Sequence, residues 1–153
     1  MRVDRDTLKA RMAAFPDLCR RYGMKVTHQR TEIYRELART EEHPDAESIY
    51  RKVKRRIPAI SLDTVYRALR QFEENGIIGR VSAVKDRARF DANNDRHHHF
   101  ICTRCGKVRD FYNTECDAIS PSRDIASFGT VTSVHVEMRG VCTQCARKSR
   151  SSR

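Results

Sequence analysis

Residues 61–76 read SLDTVYRALRQFEENG, and residues 77–91 continue IIGRVSAVKDRARFD. Val65, Ala68, Leu69 and Phe72 recur at the spacing of one helix face. The helix starts near Ser61, and Asn75-Gly76 supplies a stop. The opposite face carries Asp63, Thr64, Tyr66, Arg67, Arg70 and Gln71, the side-chain types that meet phosphates and base edges, although most surface helices carry a solvated charged face. Residues 77–84 and 88–91 read as two strands around a Lys85-Asp86-Arg87 turn. A helix followed by a basic hairpin is the plan of a winged helix, and the residues upstream complete it. One helix runs from about Asp6 to Tyr22 and stops at Gly23. A second starts at Thr27 and turns Ile33, Leu37 and Ala38 to one side. A third follows Pro44-Asp45 with Ala46, Ile49, Tyr50 and Val53 at helical spacing, and Pro58 separates it from the fourth.

The whole chain has 153 residues, 39% of them hydrophobic, with no Trp, which suits one or two small domains. No apolar run approaches the roughly 18 residues of a membrane helix. The N-terminal MRVDRDTLKARM lacks an apolar signal segment, so a cytoplasmic protein with no membrane partner is expected. The formal charge is +11, of which residues 1–91 carry +7. Nucleic acid is the first partner such a balance suggests; a merely soluble basic surface is the alternative.

Residues 92–96 form a polar linker between a winged-helix domain at 1–91 and a second domain at 97–148, followed by a basic tail at 149–153 expected to be disordered. The second domain reads as small and mixed. Strands are expected at 97–102, 107–111 and 130–140, with a helical or irregular stretch at 115–128. Two Cys-x-x-Cys pairs, Cys102/Cys105 and Cys142/Cys145, bracket it. Two such knuckles match a closed tetrahedral zinc site. The rival is a redox dithiol, but that motif occurs once and beside a βαβ unit this chain lacks. Structural zinc can supply about 10–16 kcal/mol apparent, comparable to the whole stability of a small domain. A domain of this size needs such a staple.

His97 and His99 share one face of their strand and His98 takes the other. With Asp91, Asp110 and His43 they would make a sulfur-free set suited to exchangeable Fe(II), Mn(II) or Zn(II). Spacing alone leaves solvated surface histidines equally open.

These segments together resemble the ferric uptake regulator superfamily from about residue 8 to 148. The resemblance lies in Val26-Thr27-His28-Gln29-Arg30, His43-Pro44, Asp63-Thr64-Val65-Tyr66-Arg67-Ala68-Leu69 and Arg89-Phe90-Asp91. It continues in His97-x-His99-x-x-Cys102-x-x-Cys105-Gly106-Lys107, Asp110-Phe111 and Gly140-Val141-Cys142-x-x-Cys145. It implies an α+β chain: an N-terminal winged helix-turn-helix domain and a small C-terminal α/β dimerisation domain with a four-cysteine zinc site. It also implies a bacterial homodimer that binds a double-stranded DNA operator. Arg30, Thr64, Tyr66, Arg67, Arg70, Lys85 and Arg87 are the expected DNA contacts.

Within the superfamily the chain looks most like the peroxide-sensing repressors, which use three His and two Asp for a regulatory Fe(II) or Mn(II). The matching positions are His43, Asp91, His97, His99 and Asp110, where iron-sensing relatives usually carry Glu in place of the aspartates. Iron-catalysed oxidation of His43 or His97 would then release DNA. A sensor of iron, manganese or zinc level is the nearest alternative; a non-haem iron enzyme and a zinc-ribbon interaction module are more distant ones.

Departures from the family pattern accompany the matches. His28 replaces a helix-opening proline, and Ser120-Pro121-Ser122 interrupts the dimerisation helix. Val134 and Arg96 stand where a further metal site has ligands, so no third metal is expected although His98 and Asp117 are nearby; His135 faces the other way. Cys19 and Cys116 read as ordinary cysteines.

Overall fold

The computed structural model describes residues 3–84 and 87–150. The chain divides into two compact units, Met1–Asn94 and Asp95–Arg153.

Four helices and a hairpin build the first unit: α1 (Arg5–Arg21), α2 (His28–Ala38), α3 (Ala46–Lys54), α4 (Leu62–Glu74), β1 (Gly79–Val84) and β2 (Arg87–Asp91). Every helix start has a side-chain cap. Asp4 accepts from the N–H groups of Asp6 and Thr7, Thr27 from Arg30, Asp45 from Ser48 and Ser61 from Thr64. Each cap satisfies a donor the helix leaves open, worth about 1 kcal/mol. The missing proline at position 28 therefore leaves α2 capped, by Thr27. α1 continues through Pro16. α4 ends where Gly76 takes φ 65°, its N–H donating to Glu73 O at 2.9 Å while Ile77 N–H donates to Phe72 O at 2.8 Å. That double closure needs a left-handed residue, which glycine adopts without a Cβ penalty.

The core of this unit is aromatic. Phe15 of α1 stacks on Tyr34 of α2 with centroids 4.3 Å apart, and Phe72 of α4 meets both rings edge-on. Ile33, Leu37, Ile49, Val53, Val65 and Leu69 are buried around them. β1 and β2 pair antiparallel, Arg80 opposite Phe90, and the register shifts between Val81 and Val84. Lys85 and Asp86 of the expected turn lie outside the described residues, and Arg87 belongs to β2.

The second unit holds β3 (His98–Cys102), β4 (Val108–Phe111), α5 (Thr114–Asp117), a 3-10 turn at Arg123–Ser127, β5 (Glu137–Gly140) and α6 (Thr143–Arg150). Its sheet runs β4-β3-β5. β3 is antiparallel to β4, with His99 opposite Asp110, and parallel to β5, with Cys102 opposite Gly140. Two expectations are corrected. The strand expected over 130–140 is confined to Glu137–Gly140, because β3 offers a ladder partner to those residues alone. The stretch at 115–128 is, as expected, helical in part and irregular in part: two short pieces separated by Ser120-Pro121-Ser122. The basic end is helical through Arg150, while residues 151–153 lie outside the described residues.

Among the described residues no helix is long and apolar enough to cross a membrane. Replacing Phe72 with Ala should cost the first unit about 3–5 kcal/mol, because it removes the ring that both other aromatics touch. Urea unfolding followed by far-ultraviolet circular dichroism measures this.

Candidate metal centres and nucleic-acid face

The parallel pairing of β3 with β5 assembles the sulfur cluster. It sets Gly140 beside Cys102, so the chain leaving β5 delivers Cys142 and then the first turn of α6 delivers Cys145. On the other side Gly106 at φ 72° lets its N–H donate back to Cys102 O at 2.8 Å, which closes the first knuckle around Cys105. Thr103 N–H donates to Gly140 O at 2.8 Å and binds the knuckles together. The four Sγ atoms lie within 4.8 Å of one another, and Cys105 Sγ is 3.9 Å from Cys142 Sγ. All four are free thiols. Zinc–sulfur bonds of about 2.3 Å at tetrahedral angles place sulfurs about 3.8 Å apart, so the cluster suits structural zinc.

Its electrostatics agree. Backbone N–H groups of Cys105 and Cys142 aim at the Cys102 sulfur and pull its thiol down to about 6. Hydrogen bonding with Cys142 and Cys105 pushes Cys145 up to about 12. One sulfur is ready to ionise, and the last resists adding its charge to the others. A divalent cation removes that conflict.

The histidines and aspartates fall into two groups, one in each unit. In the first unit His43 lies in the loop before α3 with φ 48°, rare for a residue with a side chain. Its imidazole is buried, and Nε2 is 3.2 Å from Asp91 Oδ2 at the end of β2. Arg89 Nη1 donates to His43 O at 3.2 Å, and Asn93 N–H donates to Asp91 Oδ1 at 2.7 Å. In the second unit the Nε2 atoms of His97 and His99 are 3.0 Å apart. Asp110 Oδ1 lies 3.8 Å from the first and 3.6 Å from the second. His97 Nδ1–H donates to Asp95 O at 2.6 Å, which leaves the lone pair on Nε2. Two nitrogens bound at about 2.1 Å and at right angles to one another sit about 3.0 Å apart, so this pair has the spacing of cis ligands.

His98 takes the opposite side of β3. Its Nδ1 accepts from Val136 N–H at 3.2 Å and its Nε2 is 3.2 Å from Asp117 Oδ1. Arg96 Nε meets the same aspartate oxygen at 3.0 Å. A guanidinium therefore supplies positive charge to Asp117.

The outer face of α4 is solvated. Tyr66 is exposed, Arg67 pairs with Asp63 at 3.0 Å and Arg70 with Glu74 at 2.8 Å. Thr64 Oγ1 shares a hydrogen bond with Ser61 at 2.8 Å. Lys25 and the cap Thr27 before α2, with Gln29 and Arg30 of its first turn, line an open cleft with Thr64, Arg67 and Gln71. Arg30 is engaged inside the unit: it donates to Lys25 O at 2.7 Å and to Gln71 Oε1 at 2.6 Å. Arg87 reaches Glu47 at 3.0 Å and Asp45 at 3.4 Å, at the start of α3. Lys85 lies outside the described residues.

Sequence reading missed one constellation. Glu32 and Glu36 are buried on α2 and held by Arg35, Arg39 and Arg56. The available signal was two acids four residues apart beside the apolar stripe Ile33 and Leu37.

The family model "Ferric uptake regulator family" matches residues 21–139. The peroxide-responsive repressor PerR of Staphylococcus epidermidis is 35% identical over 126 residues, 82% of this chain and 84% of that protein. Among solved structures, the Campylobacter jejuni peroxide stress regulator aligns with a TM-score of 0.67 at 25% identity, over 84% of this chain and 97% of that one. A zinc-bound manganese uptake regulator aligns with a TM-score of 0.63 at 32% identity, over 89% of this chain and 98% of that one.

Changing Cys105 to Ser should abolish stoichiometric zinc and unfold the second unit while the first unit keeps its helices. Metal analysis of purified protein, with circular dichroism, reads both effects.

Proposed function

Because this chain belongs to the ferric uptake regulator family, whose members are DNA-binding transcription regulators and not enzymes, we propose that it is a metal-dependent repressor sensing peroxide by iron-catalysed oxidation of a ligand histidine. The observation that carries this reading is the meeting of the His97 and His99 Nε2 atoms at 3.0 Å beside Asp110. The donors are nitrogen and oxygen, with aspartate rather than glutamate at both acidic positions. The similarity to a peroxide-responsive repressor at 35% identity supports the same choice.

In this reading His43, Asp91, His97, His99 and Asp110 would be the ligands of the regulatory ion. Bound there, ferrous iron would supply the reducing power that cleaves peroxide next to the imidazole rings. The residues do the rest. Asp95 O keeps His97 in the tautomer whose Nε2 is a donor, and Asn93 N–H orients Asp91. The net reaction inserts one peroxide oxygen into a ring C–H of His43 or His97 and releases the other as water. An oxidised ring is a poorer ligand, so the five donors no longer bind as a set. The metal-bound form would be the one that binds DNA, and loss of the ion would remove that preference.

DNA recognition is assigned to the α4 face, Thr64, Tyr66, Arg67 and Arg70, with Arg30 at the cleft and Lys85 and Arg87 at the hairpin. A homodimer would place two such helices in successive major grooves of an operator. Apolar residues exposed on the second unit, Phe128 at 85% together with Ile125, Val131 and Met138, suit burial against a second copy. The nearest alternative senses metal level; the likeness to a manganese uptake regulator at 32% identity favours it.

Brief low peroxide on the iron-loaded protein should add one oxygen to the His43 or His97 peptide, with no addition in a manganese-loaded control; peptide mass spectrometry reads it. Unmodified rings with metal-dependent DNA binding intact would move the reading to metal level. Separately, Arg67→Ala should cost operator affinity about tenfold or more without changing zinc content, measured by fluorescence anisotropy.

A further inference from the structure

Glu32 and Glu36 stand one turn apart on α2, and they are only 3% and 1% exposed. Carboxylates in an interior demand compensation. It comes from across the sequence: Arg56 Nε donates to Glu32 Oε2 at 2.5 Å, and its Nη2 donates to Glu36 Oε1 at 2.5 Å. Arg35 reaches Glu32 at 2.8 Å and Arg39 reaches Glu36 at 3.0 Å, both from α2 itself. The planar fork of one guanidinium spans two acids, which a lysine ammonium cannot do in the same way.

The position of Arg56 gives this network a purpose beyond holding two helices together. Arg56 lies in the turn between α3 and α4, not on a helix face. Its N–H and that of Ile57 both donate to Val53 O at 2.9 Å. Ile60 N–H donates to Ile57 O at 3.0 Å, and the Ile60 side chain is buried. Ser61, the cap of α4, follows directly. A short, internally bonded turn thus connects the clamped guanidinium to the first turn of α4. Further along, Arg30 of α2 donates to Gln71 of α4 at 2.6 Å. α2 therefore holds both the approach to α4 and a later turn of it. The two carboxylates are buried while the Arg56 side chain stays 37% exposed; burying charge stabilises less than apolar packing does, and its best attested use is to specify register.

We propose that the Glu32–Arg56–Glu36 clamp sets the angle at which α4 presents Thr64, Tyr66, Arg67 and Arg70, making Arg56 a positioning residue for sequence-specific DNA recognition. The inference rests on α4 being the recognition helix.

The test uses the full chain loaded with manganese and three variants: Arg56→Met, Arg56→Lys, and the triple Glu32→Met, Glu36→Leu, Arg56→Met. The triple variant replaces the whole network with apolar groups, so it keeps the fold testable if Arg56→Met alone does not fold. The probes are a duplex enriched from random DNA by the wild-type protein and a scrambled duplex of equal length, compared at one salt concentration. Affinity for the enriched duplex should fall about tenfold or more in the Met and triple variants, while scrambled-duplex affinity changes less than about twofold. Arg56→Lys should recover part of the loss. Amide exchange across residues 57–64 should accelerate in the same order. A folded Arg56→Met or triple variant with unchanged discrimination overturns the proposal, even if its melting temperature drops. If the wild type enriches no duplex, the DNA-binding reading fails on its own. Exchange across 57–64 then decides the clamp, and an unchanged rate overturns it.

Discussion

Four sulfurs confined within 4.8 Å of one another are the constraint on which the second unit depends. Thiolates repel, and thiols offer little to hold such a cluster closed. With a divalent cation between them the same four groups become a strong crosslink between residues 102–105 and 142–145. The crosslink explains why three strands of four or five residues suffice. β5 pairs with β3 over the four residues leading to the second knuckle, and the stretch from 130 to 136 outside that ladder is not a strand. The few fully buried side chains, Ile101, Val108 and His98 among them, would not hold such a sheet alone.

The first unit is organised differently. Its helices share an aromatic centre of Phe15, Tyr34 and Phe72, and α2 lies at the heart of it. α2 also carries the two buried acids and the arginine that donates to Gln71. Apolar packing chooses which helices meet but tolerates small rotations. Ion pairs with directed hydrogen bonds do not, since a rotated guanidinium leaves a carboxylate buried and unpaired. The two kinds of contact therefore divide the work, packing for stability and the clamp for orientation.

The elements most legible in the sequence were those whose signals are local. Thr27 caps its helix as the sequence suggests, and Asp45 and Ser61 cap theirs where those helices were expected to begin, because a cap needs only a side chain and an N–H two or three residues on. The α4 stripe of Val65, Ala68, Leu69 and Phe72 is buried as its period requires. The four cysteines converge as their spacing implies. The strand expected over residues 130–140 was less legible. Val131, Val134 and Val136 have strand propensity, but propensity does not provide a neighbour to pair with, and β3 accommodates only the end of the segment.

The sequence by itself determined where the helices of the first unit start, the four-cysteine cluster and the family, since each is written in residue types at short or regular intervals. Tertiary structure alone decided that Glu32 and Glu36 are buried and that Arg56 compensates both. It also decided that Arg30 spends its guanidinium on Lys25 and Gln71, and that Arg96 shares Asp117 with His98. The reason is common to all of them. The partner of a charged side chain is chosen by distance in the folded molecule, and a buried charge is tolerated only where another part of the chain brings its counterion.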